Sequence, residues 1–409
     1  MMSSINIALL GFGTVGKGVF ETIETHQERI QYYLGKPVKI VAVLVKNITK
    51  HHLSDSEVLL TDNFEDVMQI PNLDIVIDAI CGKEPGFTYI KRSIEKGCHV
   101  VTANKEMFAF HGQELLSLAA KQHVSVGFEA TVAGGIPIIQ TLRSLLKVNR
   151  ITKVEGIING TSNYILTNMR EQDLPFEQVL ADAQNKGYAE ANPTNDIEGF
   201  DALYKALVLS QVVFGEHPEE ENIIRKGISQ ITQEQIENAA NLGLKFKHVV
   251  KLEKQENHIQ CKVQPVLLSN AHPFYSIEGV QNAVSINADI VGNITLTGPG
   301  AGKLPTASAV IEDLLHLFEK HDSVRLHDER QLEDQGEEVG QRLIFNQRLD
   351  HLCIVDSLEE VEQLQEGVFY IKGREADLTR FEQENDGVAI YPIEGNFQLL
   401  NKQQYANIG

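Results

Sequence analysis

Along the first 130 residues, short apolar runs alternate with stretches whose apolar positions recur at helical spacing. Apolar runs of this length, closed by glycine or a polar turn, are typical of buried parallel strands. The pattern predicts strands at 5–10, 36–47, 73–80, 98–105 and 124–130. It predicts helices between them, the first from Gly16 to about Ile30 and another over 87–97. Strands and helices that alternate through short links indicate a right-handed parallel sheet.

The pattern changes after about residue 136, where helical stretches no longer alternate with single strands. It predicts a strand at 151–158, antiparallel strands within 247–290, and helices over 137–147, 159–169, 176–186, 198–214 and 232–246. A glycine-rich loop then opens one more helix within 298–318. We expect an α/β unit over 1–136, completed by the helix at about 300–320, and an α+β unit over 137–299.

The C-terminal part has shorter predicted elements and a higher proportion of charged residues than the chain before it. Residues 321–340 are weakly apolar and are predicted to form a linker. The remainder, 341–409, has apolar runs typical of strands at 351–356, 367–373 and 388–392, and a helical spacing over 357–365. These elements suffice for a small α+β appendage.

Composition excludes some classes of protein. The chain has 409 residues, 42% of them apolar and 22% charged, which is typical of a globular protein with more than one domain. A net charge of −20 argues against a nucleic-acid partner and an anionic membrane surface. The four cysteines form no C-x-x-C pair, and no 18-residue apolar run appears. We expect a cytoplasmic protein.

The segment "NIALLGFGTVGKGV" places a G-x-G-x-x-G pattern at Gly11, Gly13 and Gly16. Alone this pattern is weak evidence, because three glycines also occur in ordinary turns. Here it follows an apolar strand and opens a helix, the context in which it binds the pyrophosphate of a dinucleotide. The N-terminal unit is therefore predicted to be a Rossmann-type dinucleotide-binding domain.

The second strand bears on which dinucleotide binds. NAD sites normally place an acid at the end of this strand, to hold the ribose 2′-hydroxyl. Here the strand ends "VLVKNITK", and the first acid afterwards is Asp55. Lys46 and Lys50 suit a 2′-phosphate instead, although both lysines could simply be solvated. The sequence favours NADP(H) over NAD(H).

Four charged residues are candidates for catalysis or substrate binding. Lys105 ends "VVTANK", at the carboxyl end of a buried strand, where open α/β sheets bind ligands, although a lysine there could also merely cap the strand. Asp201 and Lys205 share one helix face, which on a surface would be a weak ion pair. Lys205, however, is the only formal charge between Asp201 and Glu216, in a nearly wholly apolar stretch. A buried lysine needs a carboxylate partner, and burial lowers its pKa toward the range useful for proton transfer. Glu190, in the loop before this helix, is a candidate for binding a substrate amine.

The chain resembles the homoserine dehydrogenase family from residue 5 to about residue 320. The matching stretches are "ALLGFGTVGKGV", "VVTANK", "FEATVAGGIPII", "EGIINGTSNYILTNM", "AQNKGYAEANPTNDIEGFDALYKALVLS" and "GPGAGKLPTASAV". The run "GYAEANPTNDIEGFDALYK" is long and highly specific to the family. The resemblance implies NAD(P)H-dependent interconversion of L-aspartate 4-semialdehyde and L-homoserine, on the way to threonine and methionine.

The resemblance also implies site residues. The family's proton donor falls on Lys205, its substrate-binding acids on Glu190 and Asp201, and its second active-site lysine on Lys105. The implied nicotinamide contacts are Thr14, Val15, Lys105, Gly187 and Gly302. The family holds a monovalent cation, usually sodium, in the loop matching "EATVAGGI". The implied ligands, mostly through backbone carbonyls, are Glu129, Val132, Gly134 and Ile136. A homodimer or homotetramer is implied as well.

One departure concerns the C-terminus. Many members end in an ACT regulatory domain that opens with an Asp-x-Pro-Gly turn, but Ser357 and Leu358 replace that turn here. We therefore expect a truncated or degenerate ACT-like unit, without implied feedback inhibition by threonine. Two other hypotheses stay open. A non-catalytic nucleotide sensor would also carry the glycine turn but would not need Lys205 or Glu190. An aspartate-semialdehyde dehydrogenase would need a nucleophilic cysteine, and none is well placed.

Overall fold

A computed structural model describes residues 4–53, 56–255, 258–318, 339–346, 358–385 and 387–398. Its N-terminal sheet has six parallel strands: β1 (Ile5–Leu10), β2 (Val38–Leu44), β3 (Leu59–Thr61), β4 (Ile75–Asp78), β5 (His99–Thr102) and β6 (Val126–Gly127). Their order, β3-β2-β1-β4-β5-β6, reverses direction beside β1. In such sheets, ligands bind beyond the carboxyl ends of the strands at that reversal.

Helices cover both faces of this sheet: α1 (Thr14–Thr25), α2 (Gln27–Leu34), α3 (Phe64–Met68), α4 (Gly86–Glu95) and α5 (Lys105–Gln122). The alternation of side chains along β1 explains the two layers. Ile7 and Leu9 belong to one core cluster, whereas Ala8 and Leu10 belong to another on the opposite face. Both faces are therefore apolar, as the continuous apolar run predicts.

A later helix, α12 (Lys303–His316), packs on the same face as α1. Ala307, Val310 and Leu314 of α12 join the core cluster that contains Ile7 and Leu9. The helix therefore buries its apolar side against the N-terminal sheet, far from its own neighbours in sequence.

The second unit consists of α6 (Ile138–Leu145), β7 (Ile151–Ile157), α7 (Gly160–Gln172), α8 (Phe176–Asn185), α9 (Thr194–Ile197), α10 (Phe200–Val213), β8 (Ile223–Arg225), α11 (Gln233–Asn241), β9 (Lys245–Lys254), β10 (Ile259–Leu268), β11 (Gln281–Ala288) and β12 (Gly292–Pro299). Four antiparallel pairings build its sheet in the order β12-β11-β7-β9-β10. The mixed α/β class, with a parallel N-terminal sheet and a second mixed sheet, is confirmed.

The C-terminal segment adds β13 (Val339–Phe345), β14 (Glu360–Gln365), β15 (Val368–Arg374), α13 (Glu375–Glu384) and β16 (Ala389–Glu394). β16 pairs in parallel with the end of β10, so these strands continue the second sheet. A helix over 357–365 is wrong: residues 360–365 form β14, because Val361 pairs with Ile371 of β15. The expected linker at 321–340 and strand at 351–356 lie almost wholly outside the described residues.

Other predicted bounds need correction. The helix expected over 232–246 ends at Asn241, because Gly243 adopts a positive φ of 73° and the chain then enters β9. The first predicted helix is two helices, divided at His26. The strand expected over 98–105 ends at Thr102, and Lys105 begins α5 instead. No helix among the described residues is long and apolar enough to cross a membrane.

A buried ion-pair cluster ties α7 to β9 and to the loop before β11. Lys247 is fully buried, and its Nζ lies 2.8 Å from Oε2 of Glu278. Lys245 and Arg170 approach the other carboxylate oxygen of Glu278 at 2.7 and 2.8 Å. Burial raises the pKa of Glu278, but the surrounding cations outweigh this effect and lower it to about 2. Burial also lowers the pKa of Lys247 to about 8.

Candidate active site

The turn between β1 and α1 has the form of a nucleotide cradle. Gly11 has a φ of +94°, and a Cβ there would lie 2.6 Å from the carbonyl oxygen of Ala79. A Cβ on Gly16 would collide with the carbonyl oxygen of Gly11. A Cβ on Gly13, in contrast, would meet nothing within 4 Å. The first and third glycines thus permit close packing, and the second faces open space that a ligand can fill.

The N-terminus of α1 faces this open space. Gly13 occupies the N-cap position and has no side chain to accept the first N–H groups. The first turn, which begins with Thr14 and Val15, holds no acidic residue. Unpaired N–H groups and the positive end of a helix attract an anion, and a pyrophosphate fits this site.

Lys46 and Lys50 lie beside the cradle. The backbone N–H of Gly11 donates to the carbonyl of Leu44, the last residue of β2, so the end of this strand adjoins the turn. Lys46 follows two residues later, and Lys50 closes a short 3₁₀ turn that Asn47 caps. Both lysine side chains are exposed and are free to meet an anionic group on the ribose.

The structure brings Lys105, Asp201 and Lys205 together. Lys205 and Asp201 lie one turn apart in α10, and their Nζ and Oδ2 atoms are 2.8 Å apart. Lys105 contacts the other carboxylate oxygen, Oδ1. Lys205 also donates to the carbonyl oxygen of Ile158 at 2.7 Å. Asp201 is only 3% exposed and Lys205 only 7%, so this is a buried pair and not a surface one.

The two lysines have opposite pKa shifts. Burial lowers the pKa of Lys205, and the neighbouring Lys105 lowers it further, while Asp201 opposes the shift. The charge of Asp201 raises the pKa of Lys105 to about 12. Burial opposes ionisation of Asp201, but the two ammonium groups hold its pKa well below its ordinary value. Lys205 is therefore the lysine that can give up a proton more readily, and Lys105 keeps its charge.

Two residues of this cluster were missed in the sequence. Asn159 donates from Nδ2 to Oδ2 of Asp201 at 2.8 Å and to Oδ1 of Asp196 at 2.7 Å. Burial and the nearby Asp201 raise the pKa of Asp196. The "NGTS" turn indicated only a helix start, and Asp196 lies in the specific "NPTNDIEG" run without a pattern that sets it apart.

Glu190 and Gly187 lie in the segment between α8 and α9. Glu190 is exposed, and its backbone carbonyl accepts from Gln184 at 3.1 Å. The charges of Glu190 and Lys105 both act on the thiol of Cys81, whose pKa is raised mainly by burial. Both charges therefore act on one side chain, that of Cys81. Gly302 lies at the N-cap of α12. The next residue, Lys303, packs closely against Gly18, since a Cβ on Gly18 would touch the backbone of Lys303.

The residues of the loop from Glu129 to Ile136 are buried, except Gly135. Val132 and Gly134 are buried, and none of the described hydrogen bonds ends on their carbonyl oxygens. The Glu129 carboxylate caps α6, accepting from the N–H groups of Ile139 and Gln140 at 2.8 Å each. No group of three His, Cys, Asp or Glu side chains that could hold a metal occurs among the described residues. Carbonyl oxygens suit a hard cation and not a transition metal, and those of Val132 and Gly134 are available to the sodium implied by the resemblance. The carbonyl oxygens of Glu129 and Ile136, the other two implied ligands, already accept from the N–H groups of Val132 and Ile138.

A doubly wound sheet with an open glycine cradle, and a buried lysine–aspartate pair in the following unit, define a Rossmann-type nicotinamide-dependent oxidoreductase. Comparisons with known proteins agree. The family model described as homoserine dehydrogenase matches residues 137–315, and the model for the homoserine dehydrogenase NAD binding domain matches residues 11–129. The chain belongs to the homoserine dehydrogenase family, whose members are NAD(P)-dependent oxidoreductases acting on a CH–OH group.

Individual relatives support the assignment. The chain is 43% identical to the homoserine dehydrogenase of Bacillus subtilis (strain 168) over 319 residues, which cover 78% of this chain and 73% of that one. A crystal structure from Thiobacillus denitrificans matches with a TM-score of 0.82 and 34% identity, over 96% of this chain and 99% of that one. A hyperthermophilic archaeal homoserine dehydrogenase in complex with NADPH matches with a TM-score of 0.67 and 28% identity, over 77% of this chain and 98% of that one.

Proposed function

We propose that this protein interconverts L-aspartate 4-semialdehyde and L-homoserine with NADP(H), and that Lys205 is the proton donor in the reducing direction. The observation that carries the proposal is the buried contact of Lys205 with Asp201, next to Lys105. Threonine and methionine synthesis would draw on the product.

The nicotinamide, when bound, supplies a hydride to the aldehyde carbon. Negative charge then develops on the aldehyde oxygen, and the Lys205 ammonium gives this oxygen a proton. The N–H bond of Lys205 breaks, the O–H bond of the alcohol forms, and the neutral amine regains its proton from solvent. Positioned acid catalysis of this kind typically contributes about 10²–10⁴-fold in rate.

Lys105 and Glu190 have different roles in this proposal. The raised pKa of Lys105 keeps it charged, so it holds Asp201 and stabilises the developing oxyanion without giving up its proton. Glu190, exposed in the segment after α8, would bind the substrate amine. Asp201 fixes both lysines and contributes negative charge toward that amine.

Support for NADP(H) comes from the end of β2. Lys46 and Lys50 are exposed there, and no acid occurs between Val45 and Leu53 to hold a ribose 2′-hydroxyl. A 2′-phosphate would make charge-assisted hydrogen bonds with such lysines. Thr14 and Val15 at the start of α1, with Gly187 and Gly302, would line the rest of the cofactor site.

Sodium binding at the loop of Glu129, Val132, Gly134 and Ile136 is part of the same proposal. Its support is that Val132 and Gly134 are buried residues whose carbonyl oxygens accept no hydrogen bond from the described part of the chain. The amide N–H of Gly135 donates to Pro299 at 3.0 Å, so a bound cation would stiffen the contact between this loop and the strand that leads to Gly302. Thermal unfolding in sodium chloride and in an equal concentration of tetramethylammonium chloride tests it, with a higher Tm expected in sodium.

The arrangement into units is also proposed. Residues 1–136 with α12 would bind the cofactor, and 137–299 would carry catalysis and dimerisation. Residues 321–340 would be a linker, and 341–409 a small α+β domain, a truncated or degenerate form of the ACT domain. A homodimer or homotetramer and a cytoplasmic location stay predictions.

One assay tests the activity. Purified protein is mixed with NADPH, and absorbance at the nicotinamide band is followed before and after aspartate semialdehyde is added. Oxidation of NADPH is expected only with the aldehyde present. A folded sample that binds NADPH but leaves the aldehyde unreduced would overturn the proposal.

A further inference from the structure

Asn159 stands between two acidic side chains of the candidate active site. Its Nδ2 donates to Asp196 and to Asp201, while its Oδ1 accepts from the N–H of Ser162 at 2.7 Å. The side chain is only 4% exposed. One amide group thus makes three hydrogen bonds in a buried position, and every polar atom of the side chain is engaged.

The same short segment also contacts Lys205, the proposed proton donor. Ile158, the residue before Asn159, accepts a hydrogen bond from Lys205 through its carbonyl oxygen. Asn159 then begins α7 as its N-cap, with the backbone in an extended conformation at φ −119° and ψ 110°. The cap therefore fixes the direction of the carbonyl that Lys205 contacts.

An amide is well suited to a position between two carboxylates. Two close carboxylates disfavour each other's ionisation, and Asp201 indeed raises the pKa of Asp196. The hydrogen bond from Asn159 acts in the opposite direction and lowers the pKa of Asp196. An aspartate in place of Asn159 would keep the helix cap but bring a third acidic group. A serine would keep the cap but lose both donors.

We infer that Asn159 is a positioning residue for proton transfer. Its amide holds Asp201 and Asp196 together. As the N-cap of α7, it also orients the Ile158 carbonyl, which accepts the hydrogen bond from Lys205. It touches neither substrate nor cofactor in this role. The inference rests on the proposed function, since it assigns Asn159 a role through Lys205.

The test compares Asn159→Ser and Asn159→Asp with the unaltered protein in the reducing direction. A misplaced donor costs on the order of 10-fold to 10²-fold in rate, so both variants should lower kcat by at least about 10-fold. The KM for NADPH should stay within about twofold, because the cradle lies in the other unit.

The pH profile separates positioning from a structural role. Without the amide donor, more of the Asp201 charge acts on Lys205 and raises the pKa of its ammonium group. In Asn159→Asp a third carboxyl adds to this effect. The basic limb of the kcat profile should therefore move to higher pH in both variants, further in Asn159→Asp. A lower kcat with an unmoved basic limb would make Asn159 only a helix cap and would overturn the inference, as would a normal kcat.

Controls separate this inference from the proposed function. Asn63→Ser changes a comparable N-cap, that of α3, which lies outside the site, and kcat should stay unchanged. If Asn159→Ser does not fold, Asn159→Asp still carries the test, because it retains the size of the side chain as well as the cap. Lys205→Ala is measured alongside. If Lys205→Ala is inactive while both Asn159 variants behave normally, only the inference about Asn159 fails. If Lys205→Ala stays active, the proposed donor itself is wrong.

Discussion

The ammonium group of Lys105 contacts the carboxylate of Asp201 across the boundary between two units. Lys105 is the first residue of α5, which packs on the N-terminal sheet, whereas Asp201 lies in the first turn of α10. Asn104 fixes the start of α5 by accepting from Met107 at 3.1 Å. The ion pair thus fixes the position of α5, on the cofactor-binding side of the site, relative to α10, the helix that carries Lys205.

Replacement of Lys205 tests the donor. Lys205→Ala should lower kcat by at least about 10²-fold, because acid catalysis is lost, with NADPH affinity nearly intact. Steady-state kinetics and NADPH titration measure both quantities. Lys91→Ala, which removes a lysine from a surface pair with Glu114, is the matched control and should leave kcat unchanged. A near-normal kcat in folded Lys205→Ala would leave Lys105 or a bound water as the donor.

Replacement of Asp201 by asparagine should shift the pH profile instead of abolishing activity. Without the carboxylate, burial and Lys105 both lower the pKa of Lys205 further. Its ammonium form, needed for reduction, then persists only at lower pH. The kcat of Asp201→Asn should fall less than that of Lys205→Ala and should recover as pH decreases. A basic limb that stays in place or moves upward would contradict this electrostatic role.

Cofactor choice is tested at Lys46. Lys46→Ala should raise the KM for NADPH by about 10-fold, the value of one charge-assisted hydrogen bond, and leave that for NADH nearly unchanged. Lys39→Ala, an exposed lysine on β2, is the control. Equal changes with both cofactors would show that Lys46 does not contact a 2′-phosphate.

Substitutions of two glycines in the cradle should affect NADPH binding and protein stability differently. Gly13→Ala should fold normally, because its Cβ meets nothing within 4 Å, yet it should weaken NADPH binding by filling the ligand's space. Gly16→Ala should weaken binding and also destabilise the protein by about 1–3 kcal/mol, because its Cβ collides with the Gly11 backbone. Thermal melts and cofactor titration distinguish the two. Equal Tm losses would refute the assignment of open space at Gly13.

The Glu278 cluster should make stability depend on acid pH. The pKa of Glu278 is about 2 in the folded state against 4.5 ordinarily, so its contribution is complete above pH 4.5 and disappears as pH falls toward 2. Glu278→Gln should lose roughly 3 kcal/mol at pH 7, since Lys247 stays buried without its carboxylate. The difference from the unaltered protein should shrink below pH 4.5 in denaturant titrations. Glu114→Gln, at a surface pair, should change stability little at any pH.

Much of the site follows from local sequence. A lysine within a helix apolar on all sides must be buried, and Asp201 at the i−4 position is its nearest possible partner. Asn159 could not be found in this way, since its contacts to Asp196 and Asp201 join residues 37 and 42 positions apart. Sequence spacing gives contacts within one helix, whereas contacts between helices depend on packing.

The incorrect helix over 357–365 has a similar cause. Leu358, Val361 and Leu364 recur at helical spacing among glutamates, which favour helices. The observed strand instead pairs Val361 with Ile371 and Gln363 with Phe369 of β15. Pairing with a neighbouring strand decides the conformation of such a short segment, and one sequence window does not contain that neighbour.

The pairing of β16 with β10 gives the C-terminal segment a role that needs no effector. β8 covers β10 at Cys261–Val263, and β16 covers Leu267 and Leu268 at its other end. A chain cut before β13 would leave the N–H and C=O groups of this end open, beside apolar side chains that are now fully buried. Open strand edges recruit strands from other molecules. The segment therefore covers an end of β10 that would otherwise be an open edge.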